Sequence, residues 1–167
     1  MENLLPWIGV IGALAGAIVG GSIALLNSRL QLREQRKRER NKLLLSKMEE
    51  LHEVLSQFRE CYRGSIRERL LTAHGLEKIE EDMSKVPFEK LKMLVGFYVP
   101  ELAEHLRKVM DARKSYGGVL IKSIGLERQG EPAMKNALAA LFVAEGEVSK
   151  SCRDMQEEVV KLSKKYL

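Results

Sequence analysis

Apolar and polar positions divide the chain into an uncharged N-terminal stretch and a long region of helical periodicity. From Leu4 to Leu26 run 23 residues without an ionisable side chain. A helix of that length spans about 34 Å, and the hydrocarbon core of a bilayer is about 30 Å thick. The pattern therefore predicts a single transmembrane helix over residues 4–26, preceded by a short non-cytoplasmic tail of residues 1–3.

A cleaved signal peptide is the main alternative interpretation of this stretch. Signal peptides carry a basic segment ahead of an apolar core of about 7–15 residues. Here no Lys or Arg precedes the stretch, and a basic cluster follows it. Because Lys and Arg are retained on the cytoplasmic side, we expect the N-terminus outside and the C-terminus in the cytoplasm. The bacterial inner membrane is the expected location.

Glycine recurs every four residues within the predicted span. Gly12, Gly16 and Gly20 form this pattern. Small residues at such a spacing let helix backbones approach closely in lipid. We therefore expect the helix to self-associate or to pair with a partner membrane protein, although transmembrane helices are often rich in Gly and Ala without associating.

A juxtamembrane collar of basic residues, within residues 27–42, follows the predicted span. Residues 29–42 hold seven basic residues against Glu34 and Glu39, whereas residues 43–167 hold 21 basic and 20 acidic residues. We expect the collar to fix topology and to bind anionic lipid headgroups. Nucleic acid is a weaker alternative, because no aromatic residue accompanies the cations. The basic residues are Arg29, Arg33, Arg36, Lys37, Arg38, Arg40 and Lys42.

Past the collar, apolar residues follow one another in steps of four and three, which is the spacing of a helix seam. Upstream the same positions become Lys37 and Asn41, so packing is expected to begin at about Leu43. Gly64 and Ser65 offer a break or a kink, with further helix to about residue 84. The first seam consists of Leu44, Met48, Leu51, Leu55, Phe58 and Tyr62.

Prolines mark the later helices. Pro87 and Pro100 suit helix first turns, which predicts a short helix from Pro87 to about Tyr98 and a longer one after Pro100. The longer helix fades near residues 116–118 or extends to about residue 125, and Pro132 opens the last helix. Its seam consists of Met134, Leu138, Leu141, Glu145, Val148, Cys152, Met155, Val159, Leu162 and Tyr166.

These elements predict an all-α fold: one transmembrane helix followed by a cytoplasmic, antiparallel, four-helix-type bundle over residues 43–167. Glu145 is the one charge in the last seam. A buried, unpaired carboxylate is costly, so we expect Glu145 to pair with a basic residue of a facing helix or to be exposed by a local rotation. A polar seam residue can also determine register and so give the bundle specificity.

Residues suited to chemistry do not assemble into a recognisable motif. His52, His74 and His105 do not supply the paired Glu-x-x-His segments of a di-metal bundle site. Cys61 and Cys152 fall on seam-like positions and are expected to be reduced and buried, although neighbouring arginines leave a reactive Cys61 open. No phosphate-binding, dinucleotide or nucleophile-elbow motif is present. We therefore predict no catalytic, cofactor or metal site, no small-molecule substrate and no enzyme.

The leading hypothesis for function is a membrane-anchored interaction or regulatory module. It would recruit or scaffold a partner at the cytoplasmic face and self-associate through the glycine pattern. The alternative is a small membrane-active effector, of the toxin or phage-exclusion type, whose oligomerised anchor perturbs the bilayer. The predicted span lacks a polar stripe that would line a pore, which disfavours the alternative.

Overall fold

The computed structural model describes the backbone of residues 5–73, 87–126 and 131–167, and the side chains of residues 16–17, 19–66, 87–123 and 135–167. Four α-helices occupy these ranges: α1 Leu5–Ala73, α2 Phe88–Tyr98, α3 Ala103–Leu126 and α4 Glu131–Ser163. A 3-10 helix, Pro100–Leu102, joins α2 to α3. The described residues contain no strand, so the predicted all-α class is confirmed for them.

Contacts divide the chain into two compact units, Met1–Leu43 and Leu44–Leu167. In the first unit, every described side chain is exposed except that of Asn41, which is half-buried. No helix in the described part of the chain is both long and apolar enough to cross a membrane. In the predicted span, Leu4 and the side chains of residues 5–15 and 18 lie outside the described residues.

The second unit is a helical bundle around one apolar core. The first predicted seam supplies the α1 side of this core, because Met48, Leu51, Leu55, Phe58 and Tyr62 are all buried. The last predicted seam supplies the α4 side, where the buried members are Leu141, Val148, Cys152, Met155, Val159 and Leu162. Both seams are therefore confirmed as core-facing stripes at these positions. The other described members are half-buried, namely Leu44, Leu138, Glu145 and Tyr166, and Met134 lies outside the described side chains.

Helices α1 and α4 run antiparallel in this bundle. Gln156 contacts the main chain of His52, and Glu145 lies near Arg63. The residue with the lower number on α1 thus meets the residue with the higher number on α4. This order agrees with the predicted antiparallel packing.

The short helix α2 is held between α1 and α3. The Pro87 carbonyl accepts a hydrogen bond from the Leu91 amide at 3.1 Å, which begins the helix. It ends at Val99, whose φ of −140° suits the residue before a proline. Leu91, Leu94 and Val95 face the core. The predicted bounds of this helix are confirmed to within one residue.

Of the break or kink predicted at Gly64 and Ser65, the break was wrong, because α1 continues through both residues to Ala73. A glycine inside a helix costs about 1 kcal/mol relative to alanine. That cost is offset here, since Tyr62 and Ile66 on either side are buried in the core. Residues 74–84, where a further helix was predicted, lie outside the described residues.

Candidate interaction surfaces

The seven cations of the collar lie on α1 and are all exposed. None of them forms an ion pair within the described part of the chain, and Glu39 instead accepts a hydrogen bond from Gln35 at 3.1 Å. Fourteen helical residues span about 21 Å. The surface of this segment therefore presents cations at high density, and its two carboxylates, Glu34 and Glu39, leave it a net charge of +5.

Apolar side chains precede the collar on the same helix and are exposed as well. Val19, Ile23, Leu25 and Leu26 each expose more than half of their surface. Large aliphatic side chains of this kind are usually withdrawn from water. Because a contiguous exposed apolar surface marks an interaction site, this part of α1 is a candidate interaction surface.

The glycine pattern is only partly within the described side chains. Gly12 lies outside them, whereas Gly16 and Gly20 are exposed. A Cβ atom added to Gly16 or to Gly20 would meet nothing within 4 Å. The space that the absent side chains leave is therefore open, and the predicted helix association through these residues stays a prediction.

Glu145 has the partner expected for it. Its side chain is 15% exposed, and its Oε1 lies 3.8 Å from Nε of Arg63 on the facing helix α1. Ser149, one turn further along α4, donates a hydrogen bond of 2.6 Å to the same oxygen. Arg63 also lies 3.5 Å from Glu60. The carboxylate is thus held at the edge of the core by one ion pair and one hydrogen bond, while its predicted role in bundle specificity stays a prediction.

A second polar link between α1 and α4 was not predicted from the sequence. The Gln156 amide is buried and donates hydrogen bonds to the His52 carbonyl at 3.0 Å and to Ser56 Oγ at 2.8 Å. Ser56 donates in turn to the same carbonyl at 3.2 Å. The signal available in the sequence was weak, because Gln156 follows Met155 of the seam and resembles an ordinary surface residue.

An ion-pair triad joins α1 to α2. Glu50 lies 2.7 Å from Lys47 on its own helix and 2.8 Å from Lys90 on α2. Hydrogen bonds from Lys47 and from Lys90 lower the pKa of Glu50 to about 2. Lys47 also lies over the ring of Tyr98, 5.6 Å from its centroid. The i, i+3 spacing of Lys47 and Glu50 was visible in the sequence, but the contribution of Lys90 was not.

Two recesses of about 410 Å³ each flank His52 on the surface formed by α1 and α4. One is lined chiefly by polar side chains, including Arg153 and Glu157. The other is mainly apolar, and its lining includes Met48 and Val159. His52 lines both recesses, and Lys161 joins it in the first.

The two cysteines are poorly suited to nucleophilic chemistry. Burial raises the pKa of Cys152 to about 12, against a smaller opposing effect of Arg59. Burial also raises the pKa of the half-buried Cys61. Since the thiolate is the reactive form, both thiols are protonated at neutral pH. The reactive Cys61 that neighbouring arginines left open in the sequence is therefore not supported.

Within the ranges that the structure describes, no three His, Cys, Asp or Glu residues are grouped closely enough to hold a metal ion. His74 lies outside those ranges, while His52 is on the surface of α1 and His105 is half-buried on α3. No known protein family matches the chain, and neither a curated protein nor a solved structure is significantly similar to it.

Proposed function

We propose that this protein is a membrane-anchored helical module that recruits or scaffolds a partner at the cytoplasmic face of a membrane. In this proposal residues 4–26 span the bilayer, the collar contacts anionic headgroups, and the bundle of the second unit presents helix surfaces to a partner protein. Gly12, Gly16 and Gly20 bring two or more anchors together. No catalytic step is part of the proposal.

One observation carries it: exposed aliphatic side chains are followed on one helix by seven exposed cations. Val19, Ile23 and Leu26 would be covered by lipid. The cations immediately after them would lie at the level of the headgroups, where each Lys or Arg contributes about 1 kcal/mol of attraction to an anionic leaflet. The sequence order of apolar stretch and basic cluster thus matches the order of environments across the inner leaflet.

Vesicle flotation of the full-length protein tests the anchor. We expect the protein to float with vesicles of purely zwitterionic lipid and to stay with them through an alkaline carbonate wash. Protein that remained in the soluble fraction after the wash would overturn the proposed anchor.

The collar is tested by its orientation and by lipid preference. In one variant the seven collar residues are changed to Gln. A matched control changes seven exposed cations of the bundle to Gln, namely Lys108, Lys114, Lys122, Lys135, Lys150, Arg153 and Lys164. We expect the collar variant, and not the control, to lose the preference for anionic vesicles and to insert in both orientations, as read by protease protection. Equal behaviour of the two variants would contradict the role of the collar.

Crosslinking in intact membranes, followed by identification of the bound proteins, tests the recruiting role. We expect a partner protein that is recovered with the full-length chain and lost when exposed residues of the bundle are changed. Recovery of neither a partner nor a second copy would contradict an interaction module. A loss of membrane potential on expression, abolished by changing Gly12, Gly16 and Gly20 to Leu, would instead favour the membrane-active effector.

A further inference from the structure

Four arginines of the collar lie in one row along α1. They follow one another in steps of four, three and four residues, so they fall within an arc of about 60° around the helix. All four are exposed, and none of them forms an ion pair within the described part of the chain. We call this row the arginine stripe. It consists of Arg29, Arg33, Arg36 and Arg40.

The other charges of the collar lie on other sides of the helix. Lys37 borders the stripe, whereas Glu34 and Glu39 lie further round in opposite directions, about 130° and 90° from the middle of the stripe. Arg38 and Lys42 are on the side of the helix opposite the stripe. A partner that contacts α1 along the stripe therefore meets cations, and it stays clear of both carboxylates.

The headgroup layer is too thin to take the whole stripe in the proposed topology. A bilayer about 40–45 Å thick with a hydrocarbon core of about 30 Å leaves about 5–7 Å of headgroups on each side. Because α1 is continuous through the collar, the helix does not turn along the membrane surface there. Arg36 and Arg40 lie about 15 and 21 Å beyond Leu26 along the helix.

The two distal arginines are therefore about 8 and 14 Å past the outer edge of the headgroups. Attraction to an anionic leaflet falls off within a Debye length, which is about 8 Å at physiological salt. Arg29 and Arg33, at about 5 and 11 Å beyond Leu26, are still within that range. Lipid thus accounts for the first half of the stripe, and the second half faces water.

The chemistry and spacing of the stripe match a row of carboxylates on a second helix. A guanidinium presents a planar fork that binds a carboxylate or a phosphate through two hydrogen bonds. Carboxylates at steps of four, three and four residues form a row of the same spacing, and these steps read the same in both directions. A nucleic-acid duplex matches less well, because its major groove would enclose the helix between phosphates, which Glu34 and Glu39 would repel.

We propose that Arg36 and Arg40 bind an acidic helix of a partner protein, while Arg29 and Arg33 contact the headgroups. The inference rests on the proposed function, because the distance of each arginine from the membrane follows from the anchor. It names the chemistry of the recruited protein, which is a helix with a row of Asp or Glu on one face. The leaflet and the partner then act on different halves of one stripe, so each interaction can be removed without the other.

Two helical probe peptides of equal composition test the match. One carries four glutamates at steps of four, three and four residues, and the other carries them five residues apart, which spreads them around the helix. The full-length protein is placed in zwitterionic vesicles, and binding of each labelled peptide is measured by fluorescence anisotropy. We expect the first peptide to bind at least about tenfold more tightly, because bidentate contacts need aligned groups. Equal affinities would overturn the proposal.

Two double variants of equal charge show which arginines bind the matched peptide. Arg36→Gln with Arg40→Gln removes the distal half of the stripe, and Arg38→Gln with Lys42→Gln removes two cations from the opposite side of the same helix. We expect the first variant to weaken binding at least about tenfold and the second less than about threefold. Equal losses would show a diffuse attraction to the whole collar and would overturn the proposal.

Lipid preference tests the division of the stripe into two halves. We expect Arg29→Gln with Arg33→Gln to lower the preference for anionic vesicles more than Arg36→Gln with Arg40→Gln does. Equal effects would place the distal arginines at the headgroups and would overturn the proposal. A duplex DNA probe that bound more tightly than the matched peptide, and only when Arg36 and Arg40 were present, would assign the stripe to nucleic acid instead.

Flotation of the same samples separates this inference from the proposed function. Protein that floats with vesicles but binds both peptides equally retains the anchor and loses the acidic partner. Protein that stays soluble but prefers the matched peptide loses the anchor, and with it the division of the stripe between lipid and partner.

Discussion

The ring of Tyr62 on α1 meets the ring of Tyr116 on α3 edge to face, with the centroids 4.9 Å apart and the planes at 88°. Both side chains are about 1% exposed. The Tyr116 hydroxyl lies 3.2 Å from Ser65 Oγ, whereas the Tyr62 hydroxyl has no hydrogen-bond partner among the described residues. Burial raises the pKa of Tyr62, and the nearby Arg113 opposes this shift, although its guanidinium does not meet the geometry of a hydrogen bond with the Tyr62 hydroxyl. Two chemically identical rings in contact thus differ in how their hydroxyl groups are satisfied.

This difference predicts different effects of removing each hydroxyl. We expect Tyr116→Phe to lower the free energy of unfolding by about 1 kcal/mol, because a buried hydrogen bond is lost. Tyr62→Phe should leave it unchanged or raise it slightly, because a buried hydroxyl without a partner is unfavourable. Urea denaturation of the two variants measures this, and a larger loss for Tyr62→Phe would contradict the assignment.

Gln156 should be the most sensitive polar residue of the α1–α4 contact. Gln156→Ala removes both hydrogen bonds to α1 and is expected to lower the free energy of unfolding by about 1–2 kcal/mol. Glu157→Ala, at the exposed neighbouring position, serves as the control and should change it little. The midpoints of urea denaturation compare the two, and equal midpoints would show that the buried amide contributes no stability.

Helix positions and core stripes could be predicted from the sequence because each rests on a local period. Val54 and Leu55 follow Leu51 at three and four residues, and Ala137 and Leu138 precede Leu141 by four and three. Both leucines thus belong to apolar stripes and are buried. The links between helices could not be predicted in the same way. Gln156 finds its acceptor on His52, 104 residues away, and Lys90 finds Glu50 on another helix. Such pairs depend on how each helix is rotated about its axis and shifted along it relative to its neighbour. A local sequence pattern does not determine either quantity.

The candidate surfaces also include features that a local pattern predicts and features that depend on the packing of helices. Exposure of the collar followed from seven cations crowded into 14 residues, since so many like charges cannot be buried together. The continuation of α1 past Gly64 could not be predicted, because the local cost of glycine is visible in the sequence whereas the burial of Tyr62 and Ile66 beside it depends on other helices. The site of Glu145 could be predicted in part. A basic partner on a facing helix was expected, but only the fold shows that this partner is Arg63.

Replacing Glu145 by an apolar residue should not damage the bundle. A partly buried ion pair is often replaced by a hydrophobic residue without loss, and Arg63 is 57% exposed, so it regains water readily. We expect Glu145→Leu to leave the free energy of unfolding unchanged or to raise it by up to about 1 kcal/mol. Glu147→Leu, on the exposed side of α4, is the control with the same charge change. A loss of more than about 2 kcal/mol for Glu145→Leu alone would show that the carboxylate is a structural requirement.

Acid should reveal the triad around Glu50. Because Lys47 and Lys90 lower the pKa of Glu50 to about 2 from its usual 4.5, its contribution to stability is complete above pH 4.5 and is lost as the pH falls toward 2. We expect Glu50→Gln to melt below the wild-type protein at pH 7, and the difference in Tm to close between pH 4.5 and pH 2. Glu49→Gln, at an exposed position one residue away, should show no such convergence. A Tm difference that persisted unchanged at pH 2 would contradict the lowered pKa.

The uneven distribution of charge has a practical consequence. Residues 29–42 carry a net charge of +5, whereas residues 43–167 balance 21 cations against 20 anions. Ionic strength should therefore act selectively. Moving from about 0.01 to 1 M salt shortens the Debye length from about 30 to 3 Å. This change screens the long-range electrostatic field of residues 29–42. The helical bundle is nearly neutral, so its melting temperature should stay almost the same. Salt thus offers a reversible control over what the cationic segment attracts, independent of the integrity of the folded helices beyond it.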